Sequence, residues 1–336
     1  MSQADAPHGV TRWAPFAIAS ALLAVIVAVA LSTGAYTIPL AEVLRAIAGG
    51  PPSDASTVLW NIRIPRVVAG LVTGAALAAA GAAYQGMFRN PLVSPDILGV
   101  SAGAGFGALL GIYLRLPAAL VQALAFAGGL AAVSLVMMIG ARVRRHDPVL
   151  VLVLAGVAMG TLLGAGMSLL KILADPYTQL PAMTYWLLGS FAGVTAPDAY
   201  GVLPLVLTGL VPMALLRWRL NVLTLPDEEA MALGINVRRT RTLIVTAATL
   251  VTAAVVSISG VVGWVGLVIP HASRLLVGPD FRRLLPMSLV LGGGFVVAMD
   301  TLARSVAATE IPLGILTAVV GAPFFLWLLA RSRRAW

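Results

Sequence analysis

The chain has 336 residues, of which 60% are hydrophobic and 10% are charged, and its net charge is +9. Soluble domains carry about 25% charged residues, so this composition excludes an ordinary soluble domain, and its hydrophobicity excludes intrinsic disorder. The absence of cysteine and the presence of only three histidines exclude a disulfide scaffold and argue against an imidazole-rich metal site. A polytopic membrane protein remains, and we expect its positive charge to set membrane orientation rather than to bind nucleic acid.

Nine apolar runs are predicted to be transmembrane helices, since a helix needs about 20 mostly apolar residues to cross the hydrocarbon core. In chain order they are Ala14–Ser32, Val67–Met87, Ile97–Tyr113, Pro117–Ala141, Pro148–Leu170, Gly201–Leu216, Leu243–Ser259, Leu284–Ala303 and Ile311–Ala330. A tenth stretch, Gly260–Leu276, is apolar but short, and glycine and proline interrupt it. Hydropathy alone leaves its crossing open.

The distribution of arginine decides this point, because Arg and Lys concentrate in cytoplasmic loops. With the N terminus inside, Arg89 follows two crossings, the arginines within 142–145 follow four and those within 217–241 follow six. Arg282 and Arg283 must also lie inside, because two crossings separate them from the basic C terminus. Gly260–Leu276 must therefore cross, which predicts an all-α protein with ten transmembrane helices and both termini in the cytoplasm. We expect residues 1–12 and 331–336 to be cytoplasmic tails, and residues 13–330 to form one membrane domain with a cytoplasmic loop at about 217–241.

Glycines at four-residue spacing predict close helix packing, because helices in lipid associate through backbone approach rather than through apolar burial. They are Gly70 and Gly74 in the second span, Gly99, Gly103, Gly107 and Gly111 in the third, and Gly160 and Gly164 in the fifth.

The sequence lacks the chemistry of an enzyme or of a proton-driven carrier. It has no P-loop motif, its only lysine is Lys171, and it has no H-E-x-x-H metal motif. The acid well within a span is Asp300, which lies near the outer end and precedes Arg304 by four residues, a spacing that favours an ion pair within the helix. We therefore expect no catalytic residue, no metal and no cofactor on this chain, and an energy source in a partner chain.

Seven motifs, in order, resemble the iron-siderophore, heme and vitamin B12 permease family of bacterial ATP-binding-cassette (ABC) importers, the FecCD type. The resemblance covers nearly the whole chain from about residue 35. The motifs are R-I-P-R at Arg63–Arg66, G-A-A-L-A-A-A-G at Gly74–Gly81, Q-G-M-F-R-N-P-L-V-S-P-D-I-L-G at Gln85–Gly99, W-L-L-G-S at Trp186–Ser190, A-M-A-L-G-I-N-V at Ala230–Val237, G-W-V-G-L-V-I-P-H-A-S-R at Gly263–Arg274 and E-I-P-L-G-I-L-T-A-V-V-G-A-P-F-F at Glu310–Phe325.

The resemblance implies a type II importer in the bacterial inner membrane that works by alternating access. Two copies of the permease would form a homodimer with two cytoplasmic ATPase subunits, which bind ATP and Mg²⁺, and with one periplasmic substrate-binding protein. The resemblance implies an iron complex as substrate, either heme or a ferric siderophore, with cobalamin ranked lower. An ion-coupled secondary carrier or exporter is the alternative, but it would need an ionisable relay at mid-membrane.

The resemblance also implies roles for individual residues. Outward-facing arginines would receive carboxylates of the binding protein, although snorkelling at helix ends is an open alternative; they are Arg63, Arg66 and Arg304. A coupling helix would contact the ATPase through Asp227, Glu228, Glu229, Ala230, Leu233 and Gly234, and the Pro-Asp-Glu-Glu sequence at 226–229 favours a helix start there. The cytoplasmic gate would consist of Asn90, Pro91, Leu92, Asp147 and Pro148. The fifth and tenth spans would line the substrate pathway with Met159, Thr161, Met167, Thr317 and Phe324. His271 is expected to be a structural histidine rather than an iron ligand.

Overall fold

The computed structural model describes residues 10–34, 36–143, 148–307 and 309–331. Regular secondary structure in these residues is helical, which confirms the predicted all-α class. The α-helices are α1 (Val10–Ser32), α2 (Leu40–Ile47), α3 (Asp54–Val58), α4 (Ile64–Met87), α5 (Val100–Tyr113), α6 (Ala118–Arg142), α7 (Pro148–Leu173), α8 (Gln179–Leu188), α9 (Ala196–Leu215), α10 (Arg217–Val222), α11 (Asp227–Ala232), α12 (Val237–Ser259), α13 (Val265–Val277), α14 (Phe281–Ala303) and α15 (Leu313–Arg331). A π-helical turn, Leu59–Arg63, joins α3 to α4, and a 3₁₀ turn, Pro95–Leu98, precedes α5.

Seven helical segments in the described residues are long and apolar enough to cross a membrane. They contain α1, α4, α6, α7, α9, α12 and α14. Three shorter apolar helices, α5, α13 and α15, lie where the other three spans are predicted. The prediction of a polytopic membrane protein is therefore confirmed. Crossing by the three shorter helices stays a prediction, since the 13 residues of α13 extend only about 20 Å.

The core of the bundle is built around α4, which packs against α9, α12, α13 and α14. Small residues allow this approach: a Cβ atom on Gly74 would lie 2.0 Å from the carbonyl oxygen of Gly292, and one on Gly81 would lie 1.9 Å from that of Gly266. Both distances are far below van der Waals contact, so only glycine fits. The predicted packing role is therefore confirmed for Gly74.

The same prediction has a different outcome in the third and fifth spans. A Cβ on Gly103 would lie 2.3 Å from the carbonyl oxygen of Gly128, so the prediction is confirmed where α5 meets α6. A Cβ on Gly160 or Gly164 would meet nothing within 4 Å. The prediction that these two glycines of α7 pack against a neighbouring helix is therefore wrong within one chain, because no described residue lies against this face of α7.

Ion pairs and hydrogen bonds define two ends of the bundle. At the α11 end, Asp227 in α11 lies beside Arg89, just after α4, and Arg241, near the start of α12. At the Arg66 end, Arg66 near the start of α4 lies beside Asp300 near the end of α14. The 24 residues of α4 separate these ends by about 36 Å. Arg89 and Arg241 thus share an end, as the arginine distribution requires.

Candidate functional sites

The short helix α11 has local sequence signals at both ends. Pro226 precedes it, and three acidic residues, Asp227, Glu228 and Glu229, occupy its first turn, where the helix dipole favours negative charge. At its C terminus, Gly234 has φ +78°, its N–H donates to the carbonyl of Met231, and the N–H of Ile235 donates to that of Ala230. This is a Schellman motif, which glycine stabilises because it adopts positive φ without strain.

The surfaces of α11 differ in exposure. Ala230 is fully buried and packs into the core, so it anchors the helix and has no surface for a partner. Glu228 and Glu229 are exposed, and the apolar side chains of Met231 and Leu233 are 56% and 55% exposed. An anchored helix that presents acids and two apolar side chains is a surface suited to a protein partner.

The carboxylate of Asp227 joins α11 to two other segments. Nη2 of Arg241 donates to Oδ1 and Oδ2 of Asp227 at 3.1 and 3.2 Å. Nη2 of Arg89 lies 3.5 Å from Oδ1 of the same residue, and Nη1 of Arg89 donates to the carbonyl of Leu225 at 3.1 Å. One carboxylate therefore contacts arginines from two different parts of the chain.

Residues 89–92, called the gate loop here after their predicted role, follow α4 in a tight turn. Arg89 has φ +51°, which is unfavourable for a residue with a side chain, and the N–H of Asn90 donates to the carbonyl of Gln85 at 3.1 Å. Oδ1 of Asn90 accepts a hydrogen bond from the N–H of Leu92 at 2.9 Å, an Asx turn that fixes Pro91 between them. Leu92 is 53% exposed. The turn thus presents the predicted gate residue Leu92 at the surface.

A cavity of about 250 Å³ lies between the gate loop, α10 and the start of α14. The polar residues lining it are Gln85, Arg89, Asn90, Asn221, Thr224 and Arg274. The second predicted gate segment is only partly visible, because Asp147 lies outside the described residues, while Pro148 begins α7.

At the Arg66 end, Arg66 is surrounded by carboxylates. Its Nε and Nη2 donate to Asp300 at 2.7 to 2.9 Å, and its Nη1 and Nη2 donate to Glu310 at 3.2 and 2.5 Å. Oγ of Ser190 donates to Glu310 at 3.2 Å. Arg304 is 3.6 Å from Asp300, so the predicted pair within α14 exists, but Arg66 makes the hydrogen bonds.

Arg63 and Arg304 contact the end of α1. Arg63, 4% exposed, donates to the carbonyls of Leu31 and Tyr36, and Arg304 donates to those of Thr33 and Ala30. The bonds to Leu31 and Ala30 satisfy carbonyls that the last turn of α1 leaves without partners, and those to Thr33 and Tyr36 hold the chain that follows it. The three predicted docking arginines thus share one end, but each is held by groups of its own chain, and docking stays a prediction.

Comparison with known proteins decides the family. The profile of the FecCD transport family matches residues 22–331, which is most of the chain. The chain belongs to the FecCD transport family. It is 47% identical over 281 residues to the cobalamin import system permease protein of Halobacterium salinarum, covering 83% of this chain and 75% of that protein. It is 40% identical over 281 residues to a probable iron chelatin transport system permease protein of Helicobacter pylori, covering 84% and 85%.

Further relatives in the FecCD family have other substrates in their names. The chain is 37% identical to the hemin transport system permease protein of Yersinia pestis, covering 84% of this chain and 86% of that one, and 35% identical to the molybdate import system permease protein of Haemophilus influenzae, covering 93% and 94%. A solved structure titled as an inward-facing conformation of a metal-chelate type ABC transporter superposes with a TM-score of 0.86 at 34% identity, covering 95% of this chain and 99% of that one. The chain is therefore an ABC transporter permease subunit, a transport component rather than a catalytic one.

The residues predicted for the pathway of this FecCD permease do not share one environment. Met159 and Met167 are half-buried on α7, where Thr161 is exposed, and Phe324 on α15 is partly exposed and stacks on Trp327. Thr317 differs, because it is fully buried and its hydroxyl donates to the carbonyl of Gly314 at 3.2 Å. Thr317 is therefore turned toward the interior of the chain by α15, and its role in a pathway stays a prediction, like that of the other four residues.

Sequence reasoning missed three residues of these sites: Glu310 as a partner of Arg66, and Arg89 and Arg241 as partners of Asp227. Arg89 and Leu225, which hydrogen bond, are 136 residues apart, and Arg66 and Glu310 are 244 apart, so no helical spacing signals either contact. The available signal was composition: the chain has 13 acidic and 22 basic residues, and any of these charges that is buried in so apolar a chain needs a partner of opposite charge.

Proposed function

We propose that this permease moves a metal chelate into the cytoplasm through the bacterial inner membrane, as the membrane subunit of an ATP-driven importer. The substrate class is an iron complex such as heme or a ferric siderophore. Three of the relatives' names, those with cobalamin, iron chelatin and hemin, support the metal-chelate class, while molybdate in a fourth name is an oxyanion. These names give no reason to rank cobalamin below heme and siderophores, so cobalamin belongs among the test substrates.

The observation that carries the proposal is the geometry of α11. This helix is anchored by Ala230 and presents Met231 and Leu233 to the outside, while the sequence has no P-loop of its own. A separate ATPase subunit with a groove for a short helix would bury these apolar side chains and move α11 as a rigid element. The α11 end is then the cytoplasmic end, and the Arg66 end faces the binding protein.

A homodimer is proposed from the exposed faces of α7 and α15. Gly160 and Gly164 on α7 leave room for close approach of another helix. Val319 and Leu326 on α15 are largely exposed. Small residues let helices in lipid approach closely, so a second copy of the chain could pack there and the pathway would run between the copies.

The test is transport in proteoliposomes that contain the permease with the ATPase and binding protein encoded beside it. We expect uptake of at least one of hemin, a ferric hydroxamate siderophore, cyanocobalamin or molybdate, and we expect it to stop when the ATPase Walker lysine is replaced. Uptake without ATP, or uptake that a protonophore abolishes at constant ATP, would instead identify an ion-coupled carrier. Asp300 is held by Arg66, which gives that alternative no free relay at this residue.

A further inference from the structure

Asp227 is placed differently from the other acids at the start of α11. Glu228 and Glu229 are exposed, whereas Asp227 is turned toward the chain, where it lies on the same helix face as the buried Ala230 three residues later. Its carboxylate contacts Arg241 of α12 at 3.1 Å and Arg89 of the gate loop at 3.5 Å. Asp227 is thus the point at which α11, α12 and the gate loop meet through side chains.

The gate loop is linked to α11 by this contact. The left-handed backbone of Arg89 is held by its own turn, in which the N–H of Arg89 donates to the carbonyl of Gly86 at 3.2 Å and that of Asn90 to Gln85 at 3.1 Å, so the contact to α11 acts on the Arg89 side chain. Its guanidinium is fixed on one side by the carbonyl of Leu225, which precedes α11, and on the other by Asp227 in α11. Both contacts lie in the α11 segment, so a displacement of α11 acts directly on the residue that starts the gate loop.

Arg241 has a similar dependence on Asp227. Its side chain is 8% exposed, and its Nε is buried without a hydrogen-bond partner in the described part of the chain. A buried guanidinium requires an opposite charge, and Asp227 provides it. The Asp227 carboxylate contacts two arginines at unequal distances. A small movement of α11 therefore changes the distance to Arg241 of α12 relative to the distance to Arg89 of the gate loop.

We propose that Asp227 is a positioning residue that transmits movement of α11 to the gate loop through Arg89 and to α12 through Arg241. This inference rests on the proposed function, in which an ATPase moves α11. The ion-paired link bypasses the long stretch of chain between Arg89 and Leu225, which are 136 residues apart. Asp227 therefore acts within the permease, while Met231 and Leu233 form the surface that a partner touches.

The first test measures the link on the permease alone, in nanodiscs. The chain has no cysteine, so Leu92→Cys and Met231→Cys, both at exposed positions, accept a pair of spin labels without background labelling. We expect one narrow distance distribution, which Asp227→Asn broadens and Asp227→Glu largely restores. Glu42→Gln, which removes one acid at the exposed surface of α2 at the opposite end, is the matched control and should change nothing. An unchanged distribution in Asp227→Asn would overturn the proposal.

The second test measures substrate molecules transported per ATP hydrolysed in the complete transporter. Replacing a residue that carries coupling between two sites changes that coupling by about 2- to 30-fold. For Asp227→Asn we expect the number of substrate molecules transported per ATP to fall roughly tenfold while the ATPase rate is retained. Arg89→Gln should give part of this defect, because the contact between Asp227 and Arg241 remains, and the double variant should be no worse than Asp227→Asn alone. A proportional loss of transport and ATP hydrolysis, or additive losses in the double variant, would make Asp227 a merely structural residue.

The two tests separate this inference from the proposed function. If the wild-type complex shows no ATP-dependent uptake, the proposed function fails, and the distance measurement still decides whether Asp227 holds the gate loop to α11. If uptake is normal and the coupling ratio of Asp227→Asn equals that of the wild type, the proposed function stands and the inference fails.

Discussion

Arg66 in α4 donates hydrogen bonds from Nε and Nη2 to the carboxylate of Asp300 in α14, 234 residues later in the chain. The pair joins the same two helices that approach closely at Gly74 and Gly292, about two turns away along each helix. Glu310, just before α15, completes the site on its more exposed side. The start of α15 is thereby held to α4 and α14 by charge.

The first prediction concerns stability. Asp300→Asn should lower the free energy of unfolding by about 3 kcal/mol, because it removes the more buried of the two carboxylates that compensate the Arg66 charge. Glu310→Gln should lower the free energy of unfolding by about 1 kcal/mol or less, since the Glu310 side chain is 22% exposed and its charge is partly screened by solvent. Unfolding in detergent, followed by tryptophan fluorescence, measures both variants. Equal losses would show that burial of Asp300 does not set the strength of this pair.

A second prediction concerns docking of the proposed binding protein. If its carboxylates bind Arg66, they must compete with Glu310, so Glu310→Gln should tighten docking by about fivefold, or about 1 kcal/mol. Glu42→Gln removes the same charge at the same end of the bundle without contacting Arg66, and it controls for long-range attraction. Surface plasmon resonance with the permease in nanodiscs measures both. Equal tightening in the two variants would contradict competition at Arg66.

Arg63 has a different expected behaviour, although sequence resemblance groups it with Arg66. Because it is buried and donates to the carbonyls of Leu31 and Tyr36, Arg63→Gln should reduce stability by leaving those carbonyls without a donor. A variant of Arg63 that weakens docking without lowering the unfolding midpoint would show that this arginine leaves its internal partners. Thermal unfolding and docking measured on the same preparation separate the two outcomes.

The sequence allowed prediction of features that depend on local composition. Apolar runs identified the positions of the membrane helices, arginine distribution placed Arg89 and Arg241 at one end, and Pro226 with its following acids indicated the start of α11. Each follows from hydropathy, loop charge or helix capping within about 20 residues.

Contacts between distant segments could not be predicted in this way. The direction in which Thr317 turns is set by how α15 packs, and the partners of Arg66 are set by the approach of α4 and α14. The open face of Gly164 shows the same limit, because four-residue glycine spacing indicates that a helix can approach but not that one does.

A fourth prediction uses pH at the α11 end. The backbone N–H of Arg282 and the side-chain amide of Asn221 donate to Asp280 and lower the pKa of this carboxyl below its usual value. Because its pKa is lowered in the folded state, the Asp280 carboxylate stabilises the fold at pH values above the unfolded pKa, which is about 3.9 for aspartate. This contribution is lost as the pH falls through the pKa of the folded state. The difference in unfolding midpoint between the wild type and Asp280→Asn should therefore be constant from pH 7 to about 5 and shrink as the pH falls below about 4. A difference as large at pH 3 as at pH 7 would contradict this.

The last prediction compares two glycines with opposite surroundings. Gly74→Ala would place a methyl group 2.0 Å from a backbone oxygen of α14, so the helices must separate, and we expect a loss of about 3 kcal/mol or more. Gly164→Ala meets open space within the chain and should leave the stability of the monomer unchanged. If α7 forms the proposed dimer contact, Gly164→Leu should shift the monomer–dimer equilibrium in detergent toward monomer, measured by light scattering, while Gly164→Ala has a smaller effect because a methyl group separates the helices less. A stable dimer in Gly164→Leu would place the interface on another face of the permease.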